Sequence, residues 1–203
     1  MINQPEPRRR PGRRTILGLG AAVLALTGCA APDDLAQQAK AGDDKNYIAG
    51  DGSVNEYPPG SRGAAVALEG RLFDGQKVAA RDWAGKVVVL NFWYAACAPC
   101  RAEAPDLAAL HTEFKDQGIL FYGVNVRDDA ATAEAFERTF KVDYPSFDDS
   151  NGGILLAMTE YVPPRAVPTT LVLDTQGRVS ARILGISQKG TLKALITTAA
   201  AGS

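Results

Sequence analysis

The segment Val87-Val88-Val89-Leu90-Asn91-Phe92-Trp93 is apolar at every position but one. An unbroken run of branched and aromatic residues suits a strand covered on both faces, as at the centre of a sheet. The strand is expected over Lys86–Tyr94. Shortly after it comes Cys97-Ala98-Pro99-Cys100, and the pattern then turns helical. Leu107, Leu110 and Phe114 recur at helical spacing, and Gly118 supplies a stop, so a helix is expected over Ala98–Gln117. A buried strand that passes straight into a long helix restricts the chain to a layered α/β architecture.

The pattern from about residue 62 onward agrees. Ala64–Glu69 reads as a short strand, and Arg71–Ala80 as a hairpin around Asp74-Gly75. Ile119–Val126 is a second buried strand, Ala130–Phe140 a helix and Gly153–Tyr161 a short helix. Thr169–Leu173 and Arg178–Leu184 read as strands joined by the turn Asp174-Thr175-Gln176-Gly177. Lys189–Ala199 closes the chain as a helix. This order predicts an α/β domain with a mixed sheet over residues 62–203. A chain of 203 residues with 46% hydrophobic content has room for one such domain with a sizeable core.

The preceding residues differ in kind. Residues 1–28 carry five arginines against one glutamate, so the net charge of -1 for the whole chain leaves the remainder acidic. The basic charge belongs to the leader, and nucleic-acid binding by the folded part is not expected. Arg8-Arg9-Arg10 and Arg13-Arg14 form a basic region, and Thr15–Thr27 an uncharged, mostly apolar one too short to span a bilayer comfortably. It ends at Leu26-Thr27-Gly28-Cys29, which resembles the lipobox of bacterial lipoproteins. That resemblance implies a signal peptide over residues 1–28 and a lipid attached to Cys29, anchoring the protein to the outer side of the cell membrane. An ordinary secretory signal with a chance cysteine is the plain alternative. Gly12-Arg13-Arg14-Thr15-Ile16-Leu17 also looks somewhat like a twin-arginine signal, but it lacks the usual Ser or Thr before the arginines and Ile16 stands where Phe is preferred, so an arginine-rich region for general secretion is the favoured reading. Residues 29–61 are rich in Ala, Asp, Gly and Pro without a hydrophobic period, and read as a flexible tether.

Three cysteines are present, Cys29, Cys97 and Cys100, and one histidine, His111. A closed zinc site needs four ligands, and His111 with the distant Cys29 do not complete one around Cys97 and Cys100. A purely structural disulfide across so short a loop would add little stability. Redox chemistry remains. Cys97 sits where a strand ends and a helix begins, and the unpaired N–H groups and partial positive charge of a helix N-terminus stabilise a thiolate. Pro99 is tolerated because the first turn needs no N–H from it. Cys100 lies one turn further on the same face, within reach of Cys97. Cys97 attacks a partner disulfide and Cys100 resolves the mixed disulfide. His111 reads as an exposed helix residue without a role, and Phe92 and Trp93 as core.

The block from Val89 to Pro105, with Asn91-Phe92-Trp93-Tyr94-Ala95-Ala96 before the cysteine pair and Arg101-Ala102-Glu103-Ala104-Pro105 after it, resembles the active-site block of thioredoxin-like proteins. It is most similar to the TlpA/ResA branch of membrane-tethered bacterial thiol–disulfide oxidoreductases. Val167-Pro168-Thr169-Thr170 matches that family's cis-proline loop. The resemblance covers roughly residues 62–200. It implies a thioredoxin-like fold, a central mixed sheet flanked by helices, with an N-terminal β-hairpin extension. It implies that Pro168 is cis and that the backbone of Val167 pairs with an extended substrate. Glu103 matches an acidic residue of this branch that takes a proton from Cys100 during resolution; a solvated helix glutamate is the plain alternative. Pro105 matches a helix-kink proline.

Two positions depart from the pattern. Asn91 stands where thioredoxin has a buried aspartate, which leaves Glu103 as the acid–base group. Ala96 stands where the family has Trp, which is expected to open the surface around Cys97.

The leading expectation is an extracytoplasmic, membrane-anchored protein-disulfide reductase, with cytochrome c maturation as one setting. Its partners would be extracytoplasmic protein thiols and disulfides and a membrane electron donor such as a CcdA/DsbD-like protein. It would need no cofactor beyond the Cys97–Cys100 pair and no metal. A disulfide-forming oxidase differs from it only in potential. Ala98-Pro99 lacks the histidine of strongly oxidising members, which favours reduction. A peroxidase of the same fold needs Thr or Ser shortly before the reactive cysteine, and residues 92–96 offer none. A non-catalytic binding module would have no use for both cysteines.

Overall fold

The computed structural model describes residues 50–202. The expected signal peptide, the expected lipid site at Cys29 and most of the expected tether lie outside the described residues. Six strands form one mixed sheet: β1 (Val54–Glu56), β4 (Val88–Trp93), β5 (Leu120–Asn125), β6 (Ser146–Asp148), β7 (Thr169–Leu173) and β8 (Val179–Leu184), in the spatial order β1-β8-β7-β4-β5-β6. β2 (Glu69–Arg71) and β3 (Lys77–Ala79) make a separate hairpin. The helices are α1 (Ala98–Phe114), α2 (Ala130–Phe140), α3 (Gly153–Ala157) and α4 (Lys189–Ala200). β4 runs parallel to β5 and antiparallel to β7, so the expected mixed sheet is present with the Val87–Trp93 run at its centre.

Alternation along β4 divides the core into two layers. Val87 and Val89 pack with Leu107, Leu110 and Phe114 of α1 and with Leu192, Leu195 and Ile196 of α4. Val88, Leu90 and Phe92 face the other way, toward Phe136 of α2, Ile154 of α3 and Val78 and Trp83 of the hairpin region. Every residue of β4 is buried. Leu110 is completely buried between α1 and the sheet. Leu110→Ala is therefore expected to cost about 3 kcal/mol of unfolding free energy, measured by denaturant titration.

The chain enters the fold earlier than residue 62. β1, inside the segment expected to be tether, pairs antiparallel with β8, Val54 opposite Ile183. It escapes a pattern search because all three of its residues are exposed and only its backbone joins the sheet. Arg62 then fastens the crossing segment. Its Nη1 meets Asp174 Oδ2 at 3.0 Å, with both side chains 4% exposed.

The expected strand Ala64–Glu69 is mostly absent. Val66 makes one backbone bond, to Gly177 O, and regular pairing begins only at Glu69. Gly70 in this hairpin lies so close to β6 that a Cβ there would stand 2.8 Å from the Phe147 ring. The expected helix Ala98–Gln117 is α-helical to Phe114 and ends in a single 3-10 turn at Lys115–Gln117, with Gly118 left-handed at φ 73°. The expected helix Gly153–Tyr161 stops at Ala157 and continues as turns.

Candidate active site

One end of the sheet gathers the site. Cys97 follows the C-terminal end of β4. Antiparallel pairing sets the start of β7, and with it Pro168, beside that end, since Phe92 lies opposite Thr169. β8 ends opposite Thr169 as well, so its exit loop is adjacent, and Gly185 N–H donates to Pro168 O at 2.8 Å. β5 ends beside β4, Trp93 opposite Asn125, which brings in the loop before α2.

Cys97 is the N-cap of α1, with Pro99 in the first turn. Cys100 N–H donates to Cys97 Sγ at 3.2 Å. The two residues form a disulfide with Cα atoms 5.3 Å apart. When that disulfide is reduced, a thiolate at Cys97 receives a charge-assisted bond from the same amide and the favourable end of the helix dipole.

The loop leading into Cys97 is clamped from outside. Asp128 Oδ2 accepts from Ala95 N at 2.6 Å and from Asn125 Nδ2 at 2.9 Å. Asn125 Oδ1 in turn accepts from the amides of Arg127 and Asp128. The Arg127 guanidinium stacks 4.1 Å over the Tyr94 ring.

Beneath the pair lies a buried polar cluster. Asn91 alternates onto the α1–α4 side of β4 and faces Thr170 across the strands. Its Nδ2 donates to Glu103 Oε1 at 2.7 Å and to Thr170 Oγ1 at 3.1 Å. Ser187, from the β8–α4 loop, donates its N–H to Glu103 Oε2 at 2.7 Å, and its hydroxyl shares a 2.8 Å hydrogen bond with Thr170. Glu103 is 1% exposed. Burial pushes its carboxyl up to about 7, against the opposing bonds from Ser187 and Asn91; Asp106 adds a little to the rise. A carboxyl with that value exchanges a proton near neutral pH, where an ordinary glutamate is fully ionised.

A family model described as the AhpC/TSA family matches residues 62–182. The chain belongs to the AhpC/TSA family. The thiol-disulfide oxidoreductase ResA of Bacillus subtilis (strain 168) is 32% identical over 138 residues, 68% of this chain and 72% of that protein. Among solved structures, a DsbF homologue from Corynebacterium diphtheriae superposes with a TM-score of 0.64 at 33% identity, over 73% of this chain and 94% of that one. A secreted thiol-disulfide isomerase from Corynebacterium glutamicum superposes with a TM-score of 0.66 at 29% identity, over 74% and 94%. The fold is the thioredoxin-like one expected from the motifs. This AhpC/TSA-family chain is a thiol–disulfide oxidoreductase with Cys97 and Cys100 as its redox pair.

In this family member the structure brings together Cys97, Cys100, Glu103, Val167 and Pro168. The Val167-Pro168 bond is cis. Val167 packs in the same core layer as both cysteines, and its N–H is turned onto Arg165 O at 3.0 Å. Glu103 is not a solvated helix residue.

Two expectations need correction. Ala96 is exposed, yet Cys97 is 0% exposed in the closed disulfide. Its side chain lies in the same core layer as Cys100, so the missing indole does not uncover it. His111 is not exposed either. Its Nδ1 lies 2.7 Å from Asp143 Oδ1, and its ring packs edge-on against Phe121 and Tyr144.

Sequence reasoning missed Ser187 and Asp128. Asp128 follows a buried parallel strand at its C-terminal end, the usual place for site residues in such sheets, and that signal was available. Ser187 carries no local signal, because only the pairing of β7 with β8 brings it to Glu103.

Proposed function

We propose that this protein is an extracytoplasmic protein-disulfide reductase whose resolving cysteine is served by Glu103. The observation that carries the reading is a buried carboxyl, titrating near 7, one helical turn beyond Cys100 and on the same buried face. In the reduced protein Cys97 thiolate attacks a substrate disulfide, forming a Cys97–substrate bond and expelling one substrate thiolate. Cys100 then gives its proton to Glu103, and its thiolate attacks Cys97 Sγ. The second substrate thiolate leaves, and the Cys97–Cys100 disulfide forms. Two electrons pass to the substrate, and a donor dithiol returns them.

The Val167-Pro168 loop, beside Cys97, is the surface on which an extended substrate segment docks, exchanging the Val167–Arg165 bond for its own. The secreted corynebacterial relative supports action outside the cytoplasm. The arginine-rich leader with Cys29 after its apolar stretch supports a lipid anchor. A membrane donor of the CcdA/DsbD type fits that location, and cytochrome c maturation is a setting in which such a reductase acts.

Direction is a matter of potential. Thioredoxin-fold pairs span about -270 mV for thioredoxin to about -120 mV for a strong oxidant. The reductase reading expects equilibration with glutathione to place Cys97–Cys100 toward the thioredoxin end. A value near the oxidising end would make the protein a disulfide-forming oxidase instead.

A further inference from the structure

The clasp around Glu103 has a feature that the cysteine motif does not contain. Both carboxyl oxygens accept from N–H donors, Oε1 from Asn91 and Oε2 from the Ser187 amide. As the side chains stand, both groups are donors. Asn91 donates a second bond, to Thr170 Oγ1. The amide of Ser187 is backbone. The hydroxyls of Ser187 and Thr170 are bonded to each other, so the second layer is closed as well. Asn91, Glu103, Thr170 and Ser187 are all at most 4% exposed. A protonated carboxyl has one oxygen that must donate, and this clasp offers it N–H groups on both sides.

We propose that Ser187 is a positioning residue for Glu103: together with Asn91 it pins both carboxyl oxygens as acceptors, aiming the group and preserving its proton-accepting form in a site that otherwise expels charge. The proposal rests on Glu103 acting as the proton acceptor for Cys100. Physically, burial alone disfavours the carboxylate, and hydrogen bonds donated to it oppose that. The Ser187 hydroxyl, bonded to Thr170, holds in place the loop whose amide meets Glu103.

The other groups facing Glu103 are few. On α1 itself they are Cys100 and Asp106, the latter raising its titration point. From the segment before β6 comes Tyr144, whose own titration point is raised by burial first and by the Glu103 charge second. β4, β7 and the β8–α4 loop contribute Asn91, Thr170 and Ser187, none of which carries a charge. Replacing Ser187 changes a neutral donor and leaves the charges around Glu103 as they were.

The test uses the full-length protein with 13C-labelled glutamate carboxyls, followed by NMR across pH, beside the pH profile of mixed-disulfide resolution. Ser187→Ala keeps the amide and removes the hydroxyl. Without the Ser187–Thr170 bond the loop that presents the amide is held less firmly, so the Glu103 midpoint is expected to move up by as much as about one pH unit, the size of a weakened hydrogen bond to a charged group. The acid limb of the resolution profile should move with it. Ser187→Thr, which keeps a hydroxyl, should restore both. An unmoved Glu103 midpoint in Ser187→Ala overturns the proposal. A midpoint that moves while the resolution profile stays fixed upholds the clasp and overturns Glu103 as the proton acceptor. In a Glu103→Gln background, Ser187→Ala should leave the profile unchanged. A shift there of the same size would mean that Ser187 acts through the fold and not through Glu103.

Discussion

Cys97→Ser is expected to lose all turnover of a protein disulfide such as that of insulin in a dithiol-driven assay, while remaining folded. Serine is close in shape to cysteine, and the helix N-terminus that it would cap favours serine. The loss comes from chemistry: a serine alkoxide is not available at neutral pH, and Cys100 left alone has no partner thiol with which to complete a turnover. Cys100→Ser is expected to differ in kind. It keeps the attacking sulfur and the amide that bonds it, so the first exchange proceeds and the complex stalls. A Cys97→Ser protein that retained substantial turnover would remove Cys97 from the nucleophile's role.

Glu103→Gln is expected to have the next largest effect, and in two separate readouts. Resolution should slow by about 10²-fold, a typical contribution of one positioned proton acceptor, with the first attack by Cys97 little changed. Stability should also lose part of its pH dependence. The Glu103 carboxyl moves from 4.5 to about 7 on folding, chiefly through burial. Between those values the folded chain holds a proton that the unfolded chain has released. Its contribution is therefore full below about pH 4.5 and is lost as pH rises through 7, amounting to about 3 kcal/mol across the window. Denaturant titrations at several pH values should show this fall in the wild type and a flatter profile in Glu103→Gln. The comparison must be made as a difference between the two proteins, because Glu137 and Asp149 are also raised by burial. Parallel profiles would mean that Glu103 is not the buried titrating group.

The architecture was legible wherever a segment is buried on a regular side. The run through β4, the helical spacing in α1 and the Asp174–Gly177 turn each follow from apolar periodicity or turn chemistry, and the structure places them within a few residues of expectation. What escaped was held by backbone alone or by distant partners. β1 joins β8 with three exposed residues, so its sequence carries no pattern. β6 is three residues long and owes its place to β5. The Ala64–Glu69 segment looks like a strand because it is apolar. Only Glu69 of it joins a strand pair, and the rest is held by isolated backbone bonds, Val66 to Gly177 and Ala80 to Leu68.

The site divides in the same way. Cys97, Cys100 and Pro168 announce themselves by residue type and spacing. Asn91 was visible as a departure from a family pattern, but its consequence was not. It takes the place of a second carboxyl with a donor that points at the first. Ser187 could not be found without the sheet, because eighty-four positions separate it from Glu103. His111 was misjudged because helix position says nothing of Asp143 and Tyr144 arriving from another element.

The most direct measurement of the central claim is trapping in the reduced full-length protein. Cys100→Ser and Cys97→Ser are each exposed to a disulfide substrate, and the adducts are mapped by peptide mass spectrometry. If Cys97 is the nucleophile and Cys100 the resolving thiol, the substrate remains attached to Cys97 in Cys100→Ser, and little attaches in Cys97→Ser. Stable attachment to Cys100 in Cys97→Ser, with none at Cys97 in the reciprocal variant, would contradict it.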